Sequence, residues 1–456
     1  MDRIYCDSNI FRILKPDHCF HKPELHNTFD ELKDKFLFIF SDAHLDDLSE
    51  SLADYRDKDL EFMGWYVKDN YFSFDHVKEK RFVCLLATPK EAYADMDYDA
   101  KRRFEKDPWN FDNLFPDDPK NPELNAINKL LKSYFDLPIQ AFGATDYNDS
   151  NMDEKSKNFM NQMFPGYYSK MSIREMMKSA SPFSAGLLTD ERKVTELRKF
   201  VADYMNRETY SFEKWGLSFN EKFKETNVGK TFLEMVDETL SEKQKDDFYL
   251  RFTNSYSLLE MYNVTQEKKS GGGMKKFDFT SLNTDAMHAY YASFCDYLVT
   301  DDKGLQVKAQ ILYQIFDIKT KVLSSQDFID SRAVLMWQEE TVNRFIGAMK
   351  YDMNHAFMVR DKYSFKSESQ ITTFKTTHTY FNYFNRFQII RGQEGSTIVF
   401  YCERLGEGNF VMYREIELMV KKLLQTFGDD REGIGEYIFR PEIKNDEQNL
   451  VRKWQV

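Results

Sequence analysis

DAMHAYYASFCDYLVTDDKGL, residues 285–305, carries a helix, a strand and the start of a second helix in one run. From Asp285 to Phe294 the apolar residues recur at helical spacing. YLVT at 297–300 is a short apolar strand, and Gly304 to Phe316 returns to a helical pattern. Two aspartates mark the joints: Asp285 opens the first helix, and Asp302 follows the strand.

The same grammar appears elsewhere. RIYC at 3–6 ends at Asp7, and FLFIF at 36–40 ends at Ser41. Both have the length and apolar continuity of strands buried on two faces. RFVCLLA at 81–87 reads as a third strand, and KVLS at 321–324 as the last. From Asp42 to about Met63 the spacing of Leu45, Leu48, Leu52 and Tyr55 is helical. Strands alternating with helices predict an α/β fold, a parallel sheet within three layers.

Between these pieces the character changes. Residues 89–274 read as a mainly helical insertion, with a Pro-, Asp- and Asn-rich loop at 107–123. Helical spacing recurs at 190–206 and 229–248, and KKSGGG at 268–273 is the clearest linker. Beyond 331 the expectation is a helix at 332–350, β-rich runs at 371–380, 386–391 and 396–402, and a helix at 413–426 stopped by Gly428. The expected organisation is a core of 1–88 and 275–330, an insertion of 89–274, and an α+β C-terminal domain of 331–456.

Composition narrows the function. Sixty-three basic against 75 acidic residues give a formal charge of −12. Proteins that coat nucleic-acid duplexes are usually basic, so any nucleic-acid contact here must be local. Five scattered cysteines without a CxxC pair argue against a disulfide framework and a zinc site. Cys6 and Cys295 are expected as small core residues. No apolar stretch resembles a signal peptide or reaches the roughly 18 residues of a membrane span. A cytoplasmic protein without a membrane partner is expected.

Ligands of open parallel sheets bind beyond the carboxyl ends of the strands. Asp7 and Asp302 sit at such ends, Asp47 lies about two turns into the helix after FLFIF, and Asp285 precedes the YLVT strand. Right-handed crossovers can bring all four to one edge. Clustered carboxylates repel, and their pKa values rise unless a cation intervenes. All-oxygen ligation suits Mg2+ or Mn2+, which can activate water and stabilise a departing phosphodiester oxygen. Each aspartate alone is equally well an N-cap or a solvated loop residue, and Asp285 in NTDAMHA is a credible N-cap.

IYCDSNIF resembles the opening strand of the PIN-domain nucleases, an Asp followed by a small polar residue. FSDAHLDDL resembles their second motif, a strand-end Ser with an acid six positions on. DAMHAYYASFCDYLVTDDKGL looks like the third and fourth, ending in Thr300-Asp301-Asp302, and KVLSSQDF looks like the closing strand. The matching segments total about 144 residues, a compact domain's length. The resemblance implies a PIN-like nuclease core. Asp7, Asp47, Asp285 and Asp302 would be its catalytic, metal-binding carboxylates, with Ser8, Asn9 and Thr300 orienting them or the water. The second position is usually Glu in this family and is Asp here; Asp42 and Asp46 compete for it, as Asp301 does for Asp302. His44 and His288 either touch phosphate or position water, or are packed structural histidines.

Other readings fall away. A haloacid-dehalogenase phosphatase needs an acid where Asn9 stands, no P-loop or GxSxG elbow is present, and GDDREGIGEY at 428–437 reads as a surface turn. TTFKTTHTYFNYFNRFQIIR at 372–391 alternates aromatic with basic residues, which suits either base stacking or a sheet packing face. The expected function is a magnesium- or manganese-dependent endoribonuclease acting on single-stranded RNA, with single-stranded DNA left open. The insertion or the C-terminal region would recruit a protein partner. The alternatives are an inactive PIN-like scaffold, or a subunit active only in a complex, such as a toxin or defence effector.

Overall fold

The computed structural model describes residues 2–75, 81–96, 216–264, 279–336, 341–403 and 413–439, with short gaps at 227, 263, 365–368 and 393–394. It also describes pieces at 98, 129, 138–140, 170–172 and 453–454. The expected loop at 107–123, helix at 190–206 and linker at 268–273 lie outside the described residues.

Four parallel strands make the centre: β1 (Arg3–Cys6), β2 (Leu37–Ser41), β7 (Tyr297–Val299) and β8 (Lys321–Leu323). β3 (Asn70–Asp75) adds parallel to β2, and β4 (Arg81–Leu86) closes the edge antiparallel to β3. The sheet order is β4-β3-β2-β1-β7-β8. Strands β5 (Pro138–Gln140) and β6 (Lys170–Ser172) pair only with each other.

Two strand expectations change. The third strand is NYFSFD, and RFVCLLA forms the antiparallel edge beside it. Only five residues join them, enough for a hairpin but not for the crossover that parallel strands need. The helix expected from Asp42 to about Met63 is two, α3 (Asp42–Ser49) and α4 (Ala53–Val67).

β1 and β2 are buried along their whole length, as parallel strands covered on both faces should be. Alternation divides their side chains. Ile4, Cys6, Phe38 and Phe40 join one apolar cluster with α1 (Ser8–Leu14) and α2 (Pro23–Leu32), while Tyr5, Leu37 and Ile39 join another. Fully buried rings such as Phe29 and Phe40 each stabilise the core by roughly 2–3 kcal/mol.

The second cluster also contains Phe232 and Val236 of α6 (Phe232–Glu238), Phe252 and Tyr256 of α7 (Phe248–Met261), Tyr290 of α8 (Phe279–Ala292) and Leu312 of α9 (Lys303–Ile315). The helices of residues 216–262 therefore share the sheet's own core. The single run read at 229–248 is broken by side-chain caps: Thr231 starts α6, and Asp247 starts α7.

In the C-terminal region the helix expected at 332–350 is two, α10 (Ser325–Met336) and α11 (Val342–His355), because Thr341 caps a fresh start by accepting from the Arg344 N–H. Four antiparallel strands follow, β9 (Phe357–Ser364), β10 (Ser369–Tyr380), β11 (Phe384–Gly392) and β12 (Gly395–Tyr401), in the order β12-β11-β10-β9. The sequence reading missed β9. Tyr380 and Phe387 are buried, and Phe345 of α11 packs on Tyr380, Phe381 and Phe400. The aromatic alternation at 372–391 thus serves a packing face, with Arg386 paired to Glu403 at 2.7 Å.

Helix α12 (Tyr413–Phe427) returns to the first sheet. The Arg3 guanidinium donates to both oxygens of Glu415, at 3.2 and 2.8 Å, and each side chain is only 2% exposed. The 428–437 turn closes on the buried Asp430 carboxylate, which accepts from the N–H groups of Ile434 and Gly435. Among the described residues no helix is long and apolar enough to cross a membrane.

Candidate functional site

The chain leaves β1 toward β2 on one side and returns as β7 on the other, and it is beyond the carboxyl ends at such a switch point that ligands of open α/β sheets bind. Asp7 is the first residue past β1, and its own N–H donates to the Val299 carbonyl at 3.1 Å. One carboxylate oxygen caps α1 through Ile10 N–H at 3.0 Å; the other accepts from the Thr300 hydroxyl. Thr300 in turn accepts from the Asp302 N–H at 3.0 Å, so one hydroxyl ties the two strand-end acids together. Asp302 caps α9 through Leu305 N–H at 2.8 Å.

Asp47 projects from α3 and meets His288 Nε2 of α8 at 3.0 Å. Asp285 lies one turn before His288. It does not open that helix, as expected, but sits inside it, since α8 already runs from Phe279. Among the described residues no hydrogen-bond donor reaches its carboxylate.

The electrostatics join these groups. Burial pushes the Asp7 carboxyl up to about 6, and nearby Asp302 adds to it, against Thr300, His288 and Ile10. Burial lifts Asp285 further, to about 7, reinforced by Asp302 and Asp47 and opposed by Lys308 and His288. Asp47 behaves oppositely: burial raises it, but His288 and Ser8 outweigh burial and hold it below the ordinary range. Asp302 thus acts on both Asp7 and Asp285, and Asp47 acts on Asp285; desolvation with like-charge repulsion makes these acids a candidate functional site.

The competing acids are turned elsewhere. Asp42 is buried among four donors: the hydroxyls of Tyr71, Ser73 (3.0 Å) and Tyr291 (2.7 Å), and the Phe74 N–H (3.3 Å). Asp46 acts on Tyr71, Tyr98 and Tyr249, on the same side as Asp42. Asp301 holds Lys22 at 2.9 Å and accepts from the Ser325 N–H at the start of α10, also at 2.9 Å. Asn9, expected beside the acids, is exposed and accepts from Arg12 on its own helix at 3.2 Å.

Ser8 does lie at the acids. Its buried Oγ faces Asp47 yet falls outside hydrogen-bond geometry, and no other described residue partners it. His44 is a structural histidine: it accepts the Ser41 N–H at Nδ1 (3.1 Å) and donates from Nε2 to the Cys6 carbonyl (2.7 Å). Burial depresses it to about 3, so it is neutral. Cys6 and Cys295 are buried.

Two groups escaped the sequence reading. Lys308 of α9 is buried, pairs with Glu260 of α7 at 2.8 Å, and is the cation that opposes the rise of Asp285. Tyr256 of α7 is fully buried, its hydroxyl has no hydrogen-bond partner among the described residues, and Asp285 and Asp302 both act on it. A lone Lys or Tyr on a helix looks like a solvated or packing residue, and nothing local distinguishes these two.

The donors suit a hard divalent cation: carboxylate oxygens, with the hydroxyls of Ser8 and Tyr256 unsatisfied nearby. Among the described residues no three His, Cys, Asp or Glu side chains are grouped so as to hold a metal ion. Comparison of the chain with protein-family models, with curated proteins and with solved structures finds no match.

Proposed function

We propose that this chain is a PIN-like, metal-dependent endonuclease. It hydrolyses phosphodiester bonds in single-stranded RNA with Mg2+ or Mn2+ held by Asp7, Asp47, Asp285 and Asp302. The observation that carries this reading is Asp285: a carboxyl pushed up to about 7, without a donor among the described residues, and raised by Asp302 and Asp47, with Asp302 acting on Asp7 as well. A scaffold has no physical need for such a group, whereas a bound cation would make it favourable.

The residues divide the work. N-cap bonds and Thr300 immobilise Asp7 and Asp302, which gives two fixed ligands beyond the carboxyl ends of β1 and β7. Asp47 supplies a ligand ionised at neutral pH, and Asp285 can release its proton near pH 7 when a cation arrives. The bound ion supplies Lewis acidity toward a phosphoryl group and eases deprotonation of water. Ser8, buried beside Asp47, would help to keep that carboxylate ionised.

The test is cleavage of labelled RNA and single-stranded DNA with manganese or with EDTA, by the wild type, Asp7→Asn and Asp302→Asn. Cleavage that needs metal and disappears in both variants is expected. Equal cleavage by all three proteins would defeat the proposal. A second reading, an inactive PIN-like scaffold or a subunit completed by a partner, is favoured by the absence of a gathered chelating trio among the described residues. It predicts no manganese binding by the isolated chain.

A further inference from the structure

We infer that His288 is the positioning residue of Asp47, and that Tyr5 and Ser41 hold its imidazole in place. The contact itself rests on hydrogen bonds alone; its consequence for metal binding rests on the nuclease reading.

The case begins with a backbone group. The Ser41 N–H can only donate, so His44 Nδ1 must accept it, and the His44 proton sits on Nε2, directed at the Cys6 carbonyl. Ser41 Oγ accepts the His44 N–H in the reciprocal capping box of α3. The same oxygen lies 2.6 Å from the Tyr5 hydroxyl, and that hydroxyl lies 2.8 Å from His288 Nδ1. His288 Nε2 then faces Asp47 Oδ2 at 3.0 Å.

An ionised Asp47 can only accept, so His288 Nε2 carries a proton, and two proton arrangements then complete the chain. With His288 neutral, Ser41 donates to Tyr5, Tyr5 donates to Nδ1, and Nε2–H donates to Asp47. With His288 charged, Nδ1–H donates to Tyr5, Tyr5 donates to Ser41, and Nε2–H again donates to Asp47. The bond to Asp47 is the same in both, so it is independent of the charge on His288. Tyr5, Ser41, His44 and His288 are all buried, and the two imidazoles meet edge to face at 4.8 Å. The network therefore cannot rotate away.

Asp47 needs such a support more than the two strand-end acids do. Asp7 and Asp302 cap helices and are held by backbone N–H groups. Asp47 lies inside α3, caps no helix, and is about a third exposed. His288 anchors it from a helix 241 residues away in the chain. Partners of this kind that orient a ligating side chain are commonly worth 10- to 100-fold in metal affinity.

The test measures manganese affinity of the full chain, from the free-ion electron paramagnetic resonance signal, for wild type, His288→Leu, His288→Gln and Tyr5→Phe. His288→Leu should weaken binding roughly 10- to 100-fold. His288→Gln keeps a donor where Nε2 stands and should restore most of it. Tyr5→Phe should fall between, because the imidazole then loses its Nδ1 partner and is held less firmly. If wild type binds manganese and His288→Leu binds it equally well, the positioning role is overturned while the nuclease reading stands. If wild type neither binds manganese nor cleaves RNA, the nuclease reading falls. The contact is then judged by imidazole 15N spectra. There Asp47→Asn must shift the His288 Nε2 resonance, and an unmoved resonance overturns the inference. The same spectra show whether His288→Leu disturbs the other histidines, which separates misfolding from lost positioning.

Discussion

Replacing Asp285 with Asn should make the metal-free protein more stable, and by an amount that grows with pH. The folded carboxyl titrates at about 7 against an ordinary 3.8. A carboxyl raised in this way ionises first in the unfolded chain, so ionisation favours unfolding. The destabilisation is absent well below pH 4, grows between about 4 and 7, and is constant above. At 1.36 kcal/mol per pKa unit it reaches about 2 kcal/mol at pH 5 and about 4 kcal/mol at pH 8. Asn cannot ionise and fills nearly the same volume. The advantage of Asp285→Asn over wild type should therefore widen by about 2–3 kcal/mol between pH 5 and pH 8. Urea unfolding in EDTA, followed by tryptophan fluorescence at both pH values, measures this difference. Adding manganese should narrow the gap at pH 8, because a bound cation stabilises the wild-type carboxylate and not the amide. A gap that does not change with pH would refute the placement of Asp285 in a desolvated acid cluster.

Two further outcomes follow from other contacts. Glu415→Gln should cost about 3–5 kcal/mol in urea unfolding, because it strands the buried Arg3 guanidinium, whereas Arg3→Met with Glu415→Leu should recover most of that loss. Asp301→Asn should leave RNA cleavage near the wild-type rate and lower stability by at most about 1 kcal/mol, since Asp301 serves the half-exposed Lys22 and the start of α10. Abolished cleavage would show that Asp301, and not Asp302, belongs to the acids.

Much of the fold is local information. The continuous apolar runs at 3–6 and 36–40 could only be strands buried on two faces, and the strand at 297–299 with its flanking helices follows the periodicity of one short stretch. What escaped was interrupted patterning. NYFSFD begins with Asn and ends with Asp, so it did not look like a buried strand, although Asn70 donates to the Phe38 and Val67 carbonyls within the core. FMVRDKYS lies at a sheet edge, its apolar residues largely exposed, so burial imposed no clean alternation on it.

The sequence by itself determined the strand-end positions of Asp7 and Asp302, because a strand and the cap that follows it are set by neighbouring residues. Only the tertiary structure separates neighbours in an acidic chain: Asp301 and Asp42 are taken up by donors of their own, Asp302 and Asp47 act on Asp285, and Asp285 lies inside a helix instead of capping it. It also revealed Lys308, Tyr256 and the His288 support. The physical reason is distance along the chain. Thr300 meets Asp7 across 293 residues, and His288 meets Asp47 across 241. Desolvation, repulsion between like charges and the direction of a hydrogen bond depend on such encounters, and no local pattern records them.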